Sequence, residues 1–364
     1  MNQFAPIATP GVSCARGAYI LRGGEPQVNV VDHLGVPICD GTVHSLGTVM
    51  SPQMVDVAAL PKVDNLPGTW LFAGLFWPHF GHFLFESLSR LWALSHIAQP
   101  IDGLVFASKK PVPEEKCADP SFQRTLLRKC RADLPVKILH DSVQVENLIV
   151  PRQACALGAL AAGTPEFRDF IKHSLRGDIT PGPHDKIYIS RQGYRLRRGG
   201  HFDEARLVAL LENEGYHIFR PERVSLDDQI ATYMGASRIV SSDSTALHLA
   251  AFLARPDQQI AIILRRKDGD RDITPNIAAC TGQLPLVIDA ITGFHIRQGM
   301  RNLNWAQFAE IDFEQVGQAL GQGGFIDRPE AWTPLRFRRR RRVLDGYRAA
   351  LACEFDTVQA ETAA

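Results

Sequence analysis

Four polar side chains recur at helical spacing in an otherwise apolar and aromatic segment, Phe76–Leu94. They are His79, His82, Glu86 and Arg90. At about 100° per residue the four fall within an arc of about 80° on a helix, and apolar side chains cover the rest. His82 and Glu86 are four residues apart and can touch, so the carboxylate can orient the imidazole. The pair is suited to general-base catalysis.

The sequence leaves two other interpretations of this polar stripe open. Buried polar groups need partners, so the stripe is expected to face water, a cleft or the charges of another domain, and an ordinary solvated face would satisfy that need. His79, His82 and Glu86 could instead bind a metal ion, as in a metal hydrolase, but the sequence offers no further cluster of ligands. We therefore predict no metal site.

Basic residues follow one predicted strand of the second half. In the stretch KIYISRQGYRLRR, Arg191 directly follows the strand, and the loop continues with Arg195, Arg197 and Arg198. In an open parallel sheet, ligands bind beyond the carboxyl ends of the strands. Arginine makes bidentate contacts with phosphate oxygens, so this loop is a candidate phosphate site. Ordinary surface charge is the alternative interpretation.

A second predicted strand runs into a helix through small residues. The stretch RIVSSDSTALHLAAFL places Asp243 or Ser244 at the N-cap, with Thr245 beside them. Unpaired N–H groups and the positive end of the helix dipole favour an anion at such a turn. His248 lies one turn along the same face. Together the two loops could hold a diphosphate, although Ser244 could equally be only a cap. The motifs GxxxxGK[ST] and GxGxxG are absent from the sequence.

Strands and helices alternate regularly after Gly177–Asp185, a segment rich in glycine, proline and aspartate. Such alternation predicts an α/β fold with a parallel, doubly wound sheet, and the first half contains the same ingredients less regularly. A chain of 364 residues is about twice the length of a typical domain. We therefore predict two domains, residues 1–178 and 179–364, which join at this segment.

The composition is typical of a globular protein in a reducing compartment. Apolar residues make up 45% and charged residues 22%, and a net charge of +1 provides no basic field for nucleic acid. The sequence shows no signal-peptide pattern and no run of about 18 apolar residues that could span a membrane. Seven cysteines without a CxxC pair argue against a disulfide framework or a cysteine-based zinc site. The predicted location is cytoplasmic.

Five consecutive arginines, Arg338–Arg342, stand near the end of the sequence. Because like charges repel, the run predicts a solvated helix start or a disordered segment. The alternative is peripheral contact with an anionic membrane, such as the inner membrane of a bacterium, which attracts clustered basic residues by about 1 kcal/mol each.

Three separated patches between Trp70 and Leu264 resemble glycosyltransferase family 61, which includes bacterial capsule and polysaccharide biosynthesis proteins. They are HFLFESLSRL, then IYISRQGYRLRR followed by DEARLVALLENEGYHI, and VSLDDQIATYMGASRIVSSDSTALHL. The resemblance implies the GT-B arrangement, in which two Rossmann-like domains face a cleft. It also implies transfer of a sugar from a nucleotide sugar with inversion, without a required metal or cofactor. The stretch DSTALHLAAFL is also similar to a segment of bacterial heptosyltransferases, another GT-B group.

The resemblance also implies roles for the candidate residues. The first domain is expected on the side of the acceptor, a polysaccharide or lipid-linked glycan. There Glu86 or His82 would be the general base, and His79 and Arg90 would lie toward the acceptor. The second domain is expected to bind the nucleotide sugar through Arg191, Arg198, Asp243, Ser244, Thr245 and His248.

The sequence departs from the family pattern at three places. Asp243, Ser244 and Thr245 stand where family members usually carry His-Gly-Ala, and Leu249 stands in place of an asparagine. His79 replaces a second asparagine, before the first motif. These replacements keep open a different class of function, a non-catalytic protein that binds glycans or nucleotides on the same fold.

Overall fold

The structure is a computed structural model that describes residues 9–23, 27–108, 110, 112, 116, 118–192, 198–300 and 306–360. Its helices and sheets confirm the predicted α/β class. The chain divides into two compact units, Met1–Asp178 and Ile179–Ala364, and the division falls within the glycine- and proline-rich segment.

The first unit is built on a six-stranded mixed sheet in the order β2-β1-β8-β5-β6-β7, with a separate β3–β4 hairpin. Its strands are β1 Val12–Arg22, β2 Val28–Val31, β3 Val43–Ser45, β4 Thr48–Met50, β5 Asp64–Leu75, β6 Gly103–Ala107, β7 Val136–Leu139 and β8 Val143–Pro151. Its α-helices are α1 Phe80–His82, α2 Phe122–Lys129 and α3 Pro165–Arg176. Strands β5 to β8 pair in parallel, whereas β1 is antiparallel to both of its neighbours.

The prediction of one continuous helix over Phe76–Leu94 is wrong. Helix α1 passes into a π-helical turn, Phe83–Ser87, and a separate 3₁₀ helix follows at Leu91–His96. The physical reason lies in Ser87. Its hydroxyl donates to the carbonyl of Leu75 at 2.7 Å and accepts from the N–H of Trp77 at 3.0 Å, which ties the segment back to the end of β5. Turns of this kind reorient side chains and occur often at functional sites.

The second unit contains two sheets. Its strands are β9 Lys186–Ile189, β10 Gly200–His201, β11 His217–Phe219, β12 Arg238–Ser242, β13 Gln259–Ile263, β14 Leu286–Ile288, β15 Ile291–Arg297, β16 Phe308–Ile311 and β17 Phe355–Gln359. Its α-helices are α4 Glu204–Asn213, α5 Leu226–Gly235, α6 Ala246–Leu253, α7 Ile273–Thr281, α8 Phe313–Gln322 and α9 Phe337–Leu351.

The larger sheet of the second unit is parallel throughout, in the order β11-β9-β12-β13-β14. The chain leaves β9 toward β11 and then returns to β12 on the opposite side, so the winding reverses between β9 and β12. Helices α4 and α8 pack on one face, against side chains such as Tyr188 and Val240. Right-handed crossovers place α5, α6 and α7 on the other face. Such a reversal opens a crevice at the carboxyl ends of the two strands.

The smaller sheet has the order β10-β16-β15-β17, and α9 packs against it. The five arginines begin this helix, so their segment is ordered. Arg339 pairs with Asp203, Arg340 with Glu310 and Arg341 with Asp345. Contact of the run with an anionic membrane stays a prediction. Among the described residues, no helix is long and apolar enough to cross a bilayer.

Candidate functional site

A buried carboxylate fixes the loop that follows β9. Glu204, in the first turn of α4, accepts hydrogen bonds from the hydroxyls of Ser190 at 3.0 Å and Tyr188 at 3.3 Å. It also accepts from the backbone N–H of Arg191 at 2.5 Å. Burial raises the pKa of Glu204, while these hydrogen bonds oppose the rise. The backbone of Arg191 is therefore held at the carboxyl end of β9.

A second buried carboxylate, Asp243, joins the end of β12 to the residues that follow β13. It accepts from the backbone N–H of Arg265 at 2.8 Å and from Nε of Arg266 at 2.6 Å, and Nε of Arg265 lies 3.6 Å away. Burial lowers the pKa of Arg265 to about 9, so the guanidinium stays charged at neutral pH. Asp243 thus positions two cations at the edge of the sheet.

The predicted N-cap of α6 at Asp243 or Ser244 is wrong, because Thr245 occupies that position and makes no side-chain cap. The carboxylate of Asp243 is already engaged with the two arginines and cannot cap the helix. Ser244 is buried and its hydroxyl accepts from the N–H of Ala246 at 3.4 Å, while Thr245 is exposed. His248 is buried, with Nδ1 at 3.4 Å from the amide oxygen of Asn276 on α7.

A cavity of about 630 Å³ lies at the carboxyl ends of β9 and β11. Arg191 and Gln192 line it after β9, and Arg220 and Arg223 line it after β11. Arg220 donates to the amide oxygen of Gln192 at 3.0 Å, which couples the two loops. The cavity therefore collects three guanidinium groups at one edge of a parallel sheet. Arg198 is exposed and lies seven residues after Arg191 in the sequence. Residues 193–197, which include the predicted site residues Arg195 and Arg197, lie outside the described residues.

In the first unit, His82 and Glu86 adjoin but do not form a hydrogen bond. Nδ1 of His82 lies 3.7 Å from the carboxylate of Glu86, and its ring stacks on Trp77 with centroids 4.8 Å apart. The carboxylate is 1% exposed, and accepts from the hydroxyl of Ser45 at 2.9 Å and from the N–H of Leu46 at 3.3 Å. The side chain of His82 is 24% exposed. Of the pair, the histidine is the group that solvent and ligands can reach.

The prediction that the whole polar stripe faces water, a cleft or another domain is wrong for Glu86, which is buried against Ser45 and Leu46. It is also wrong for Arg90. Its guanidinium is fully buried and donates to the carbonyls of Asp40 at 2.7 Å, Thr42 at 2.6 Å and Pro151. Direct contact with an acceptor would require this core to open. His79 is exposed, with its ring centroid 6.5 Å from that of His82. Within the described ranges, no three His, Cys, Asp or Glu side chains converge on a position for a metal ion.

The model of the family Glycosyltransferase 61 matches residues 80–261, half of the 364-residue chain. The chain belongs to glycosyltransferase family 61. The matched region begins beside His82 and ends in β13, so it includes the β9 loop and the β12–α6 turn. Strands β15, β16 and β17 of the smaller sheet and helix α9 lie after the end of the matched region. A search of curated proteins finds no match. The additional similarity to heptosyltransferases stays a prediction.

The candidate site contains residues that the sequence did not predict. Arg220 directly follows β11, and Arg191 comes two residues after the end of β9, so strand-end position was a usable signal for Arg220. His201, Glu204 and Arg265 carried no such signal, because their roles depend on side chains from other strands. His201 is 1% exposed and lines the cavity. Its ring approaches the backbone of Ile263, but neither nitrogen reaches full hydrogen-bond geometry.

Stability should decrease as the pH falls from 6.5 toward 4, and His201 should account for part of the decrease. Burial lowers its pKa from 6.5 to about 4, so in this window the unfolded chain binds a proton that the folded chain does not. The folded state therefore loses up to about 3 kcal/mol relative to the unfolded state across the window. Urea unfolding at pH 7 and pH 4.5 should show a smaller difference for His201→Gln than for the wild type. The same substitution at exposed His140 is the control, and equal pH dependence in both variants would contradict the prediction.

Proposed function

We propose that this protein transfers a sugar, with inversion, from a nucleotide-sugar donor to a polysaccharide or lipid-linked glycan. The observation that carries the proposal is the arginine-lined cavity at the carboxyl ends of β9 and β11 in the parallel sheet, in a chain of this family. Ligands of such sheets bind beyond the carboxyl ends of the strands, and β9, whose end lines the cavity, also borders the reversal. A diphosphate matches guanidinium groups in both charge and geometry.

The proposed reaction is an in-line displacement at the anomeric carbon. The acceptor hydroxyl forms the new glycosidic bond and loses its proton to a base, while the bond from the sugar to the diphosphate breaks. Negative charge then builds on the leaving diphosphate, where Arg191, Arg220 and the Ser244–Thr245 helix start would stabilise it electrostatically. Exposed Arg198 would add to this charge. We propose that these groups neutralise the leaving group without a required metal.

For the base, we propose His82, with Glu86 as the residue that orients it. Glu86 is buried and committed to Ser45 and Leu46, whereas His82 retains exposure. The GT-B arrangement, in which the first unit presents this histidine to the sugar bound by the second, completes the proposal. Asp243 would act through the arginines that it holds, and His248 through the packing of α6 on α7.

A non-catalytic protein that binds glycans or nucleotides is the alternative, because Asp243 to Thr245 depart from the family pattern. Melting-temperature screening against nucleotide sugars should first identify a donor, since a ligand of the folded state raises stability by RT ln(1 + [L]/Kd). Release of free nucleotide from that donor, dependent on a glycan acceptor, should follow. Donor binding without release under any acceptor would favour the alternative.

Replacing Arg191 by alanine should weaken binding of the identified donor about ten-fold or more, since a hydrogen bond to a charged group contributes about 1.5 kcal/mol or more. Its backbone bond to Glu204 is kept, so the fold should persist. Calorimetry on both proteins measures the change, with exposed Arg176→Ala as the matched control. Unchanged affinity in Arg191→Ala would remove this residue from the donor site.

A further inference from the structure

Helix α9 forms one wall of the arginine-lined cavity. Val343, Gly346, Tyr347 and Ala350 line the cavity, and their spacing of three and four residues places them on one face of the helix. The family match ends at residue 261. This wall is therefore a feature of the present chain rather than of the matched region.

The wall is firmly attached to the second unit. The guanidinium of Arg339 pairs with Asp203 at 2.5 Å, immediately before α4, and Arg340 pairs with Glu310 on β16 at 2.9 Å. The ring of Tyr347 stacks on Phe308 with centroids 4.3 Å apart. These contacts hold α9 from residues at least 30 positions away in the chain, so its inner face has a fixed position in the cavity.

The two sides of the cavity differ in chemistry. Arg191, Arg220 and Arg223 supply positive charge on the strand-end side. Of the acidic residues that line the cavity, Asp203 is paired with Arg339, and the pKa of buried Glu204 is raised. The α9 side is instead apolar and aromatic. The cavity is thus complementary to a ligand with an anionic end and a flat, weakly polar end.

Gly346 leaves space on the apolar side. A β-carbon added there would meet no atom within 4 Å, so a side chain at this position would project into open volume. The neighbouring cavity residue on the same face, one turn along, is the small Ala350. Glycine weakens a helix relative to alanine, and here its lack of a side chain keeps the cavity wide.

We propose that the cavity takes a nucleoside diphosphate, with the phosphates on Arg191, Arg220 and Arg223 and with the base against α9 at Gly346. Helix α9 is then a specificity-determining wall. Aromatic and apolar surfaces accept the face of a nucleobase, and guanidinium groups accept the diphosphate. This inference rests on the proposed function for the class of ligand, and it adds the orientation of that ligand and the residues that determine its size.

Calorimetry on the full chain tests the orientation with uridine diphosphate, guanosine diphosphate and inorganic pyrophosphate as probes. Gly346→Leu should weaken the better nucleoside diphosphate about ten-fold or more, because leucine occupies the volume of the base, and should change pyrophosphate binding less than about two-fold. Arg220→Ala should weaken both kinds of probe. Ala349→Leu adds the same side chain to an exposed position of α9 outside the cavity and should change neither.

Ala350→Leu, on the same wall, repeats the test should Gly346→Leu fold poorly. Wild-type affinity of these two variants for the nucleoside diphosphate would overturn the inference and leave the proposed function standing. A wild-type protein that binds pyrophosphate as tightly as both nucleoside diphosphates, or that binds no probe, would overturn it as well. The proposed function fails separately, if no nucleotide sugar supports acceptor-dependent release of nucleotide.

Discussion

Replacing Arg90 by leucine should lower the free energy of unfolding by about 3 kcal/mol or more, the largest effect on stability that we expect. The guanidinium is itself fully buried and donates to the carbonyls of Asp40, Thr42 and Pro151. Leucine fills part of the volume but leaves these oxygens without a donor, at a cost of about 1 to 3 kcal/mol each.

The cost of burying the charge of Arg90 opposes this loss of stability. Burial lowers the pKa of Arg90 to about 9, although Asp40 raises it, which shows that the charge is costly in this position. Leucine removes that cost. We expect the lost hydrogen bonds to dominate, because removal of one partner from a buried charged network usually destabilises a protein by about 3 to 5 kcal/mol.

Urea unfolding measures the effect, with exposed Arg176→Leu as the matched control for removal of an arginine. Arg90→Lys keeps the charge but cannot reach three carbonyls in a fixed fork, so its stability should lie between those of the wild type and the leucine variant. A change below about 1 kcal/mol for Arg90→Leu would contradict the structural role. The effect should extend to the site, because the carbonyl of Thr42 immediately precedes the hairpin that contacts Glu86.

The elements of the second unit could be predicted because their signals are local. The apolar runs KIYI and RIVSS are strands β9 and β12, and helix α6 follows Asp243, as predicted. Each pattern depends on the spacing of residues a few positions apart. The strand-end positions of Arg191 and Ser244 followed directly, since a parallel sheet brings its carboxyl ends to one edge.

The parts that sequence reasoning missed depend on partners far apart in the chain. Arg90 has helical spacing with His82 and Glu86, but its acceptors come from other segments of the first unit. The arginines of α9 repel one another locally, and Asp203 and Glu310 stabilise them from distant positions. Hydrophobic periodicity carries no information about such pairs, and it also cannot show that Ser87 bonds back to Leu75 and interrupts a helix.

Replacing Glu86 by glutamine should lower kcat by about 10² or more, the usual contribution of general-base catalysis, while donor affinity stays within about two-fold. Glutamine keeps the shape of the side chain but loses the charge beside Nδ1 of His82, which lies 3.7 Å from the carboxylate. It also replaces one carboxylate oxygen by an N–H₂ group, so a single oxygen remains to accept from the two donors, the hydroxyl of Ser45 and the N–H of Leu46. Both the lost charge and the lost acceptor oxygen should leave His82 less well oriented.

The measurement is kcat, KM and donor Kd on the same folded variant, beside His82→Ala and Ser45→Ala. If His82 is the base, His82→Ala should lose at least as much kcat as Glu86→Gln. Ser45→Ala removes one hydrogen bond of Glu86 but keeps its charge, so its kcat should fall less. A kcat near that of the wild type in Glu86→Gln would remove Glu86 from catalysis and leave it as a support for the β3–β4 hairpin. The proposed diphosphate contacts all lie in the second unit, so Glu86→Gln is not expected to weaken donor binding. If donor affinity falls together with kcat, Glu86 would instead take part in donor binding.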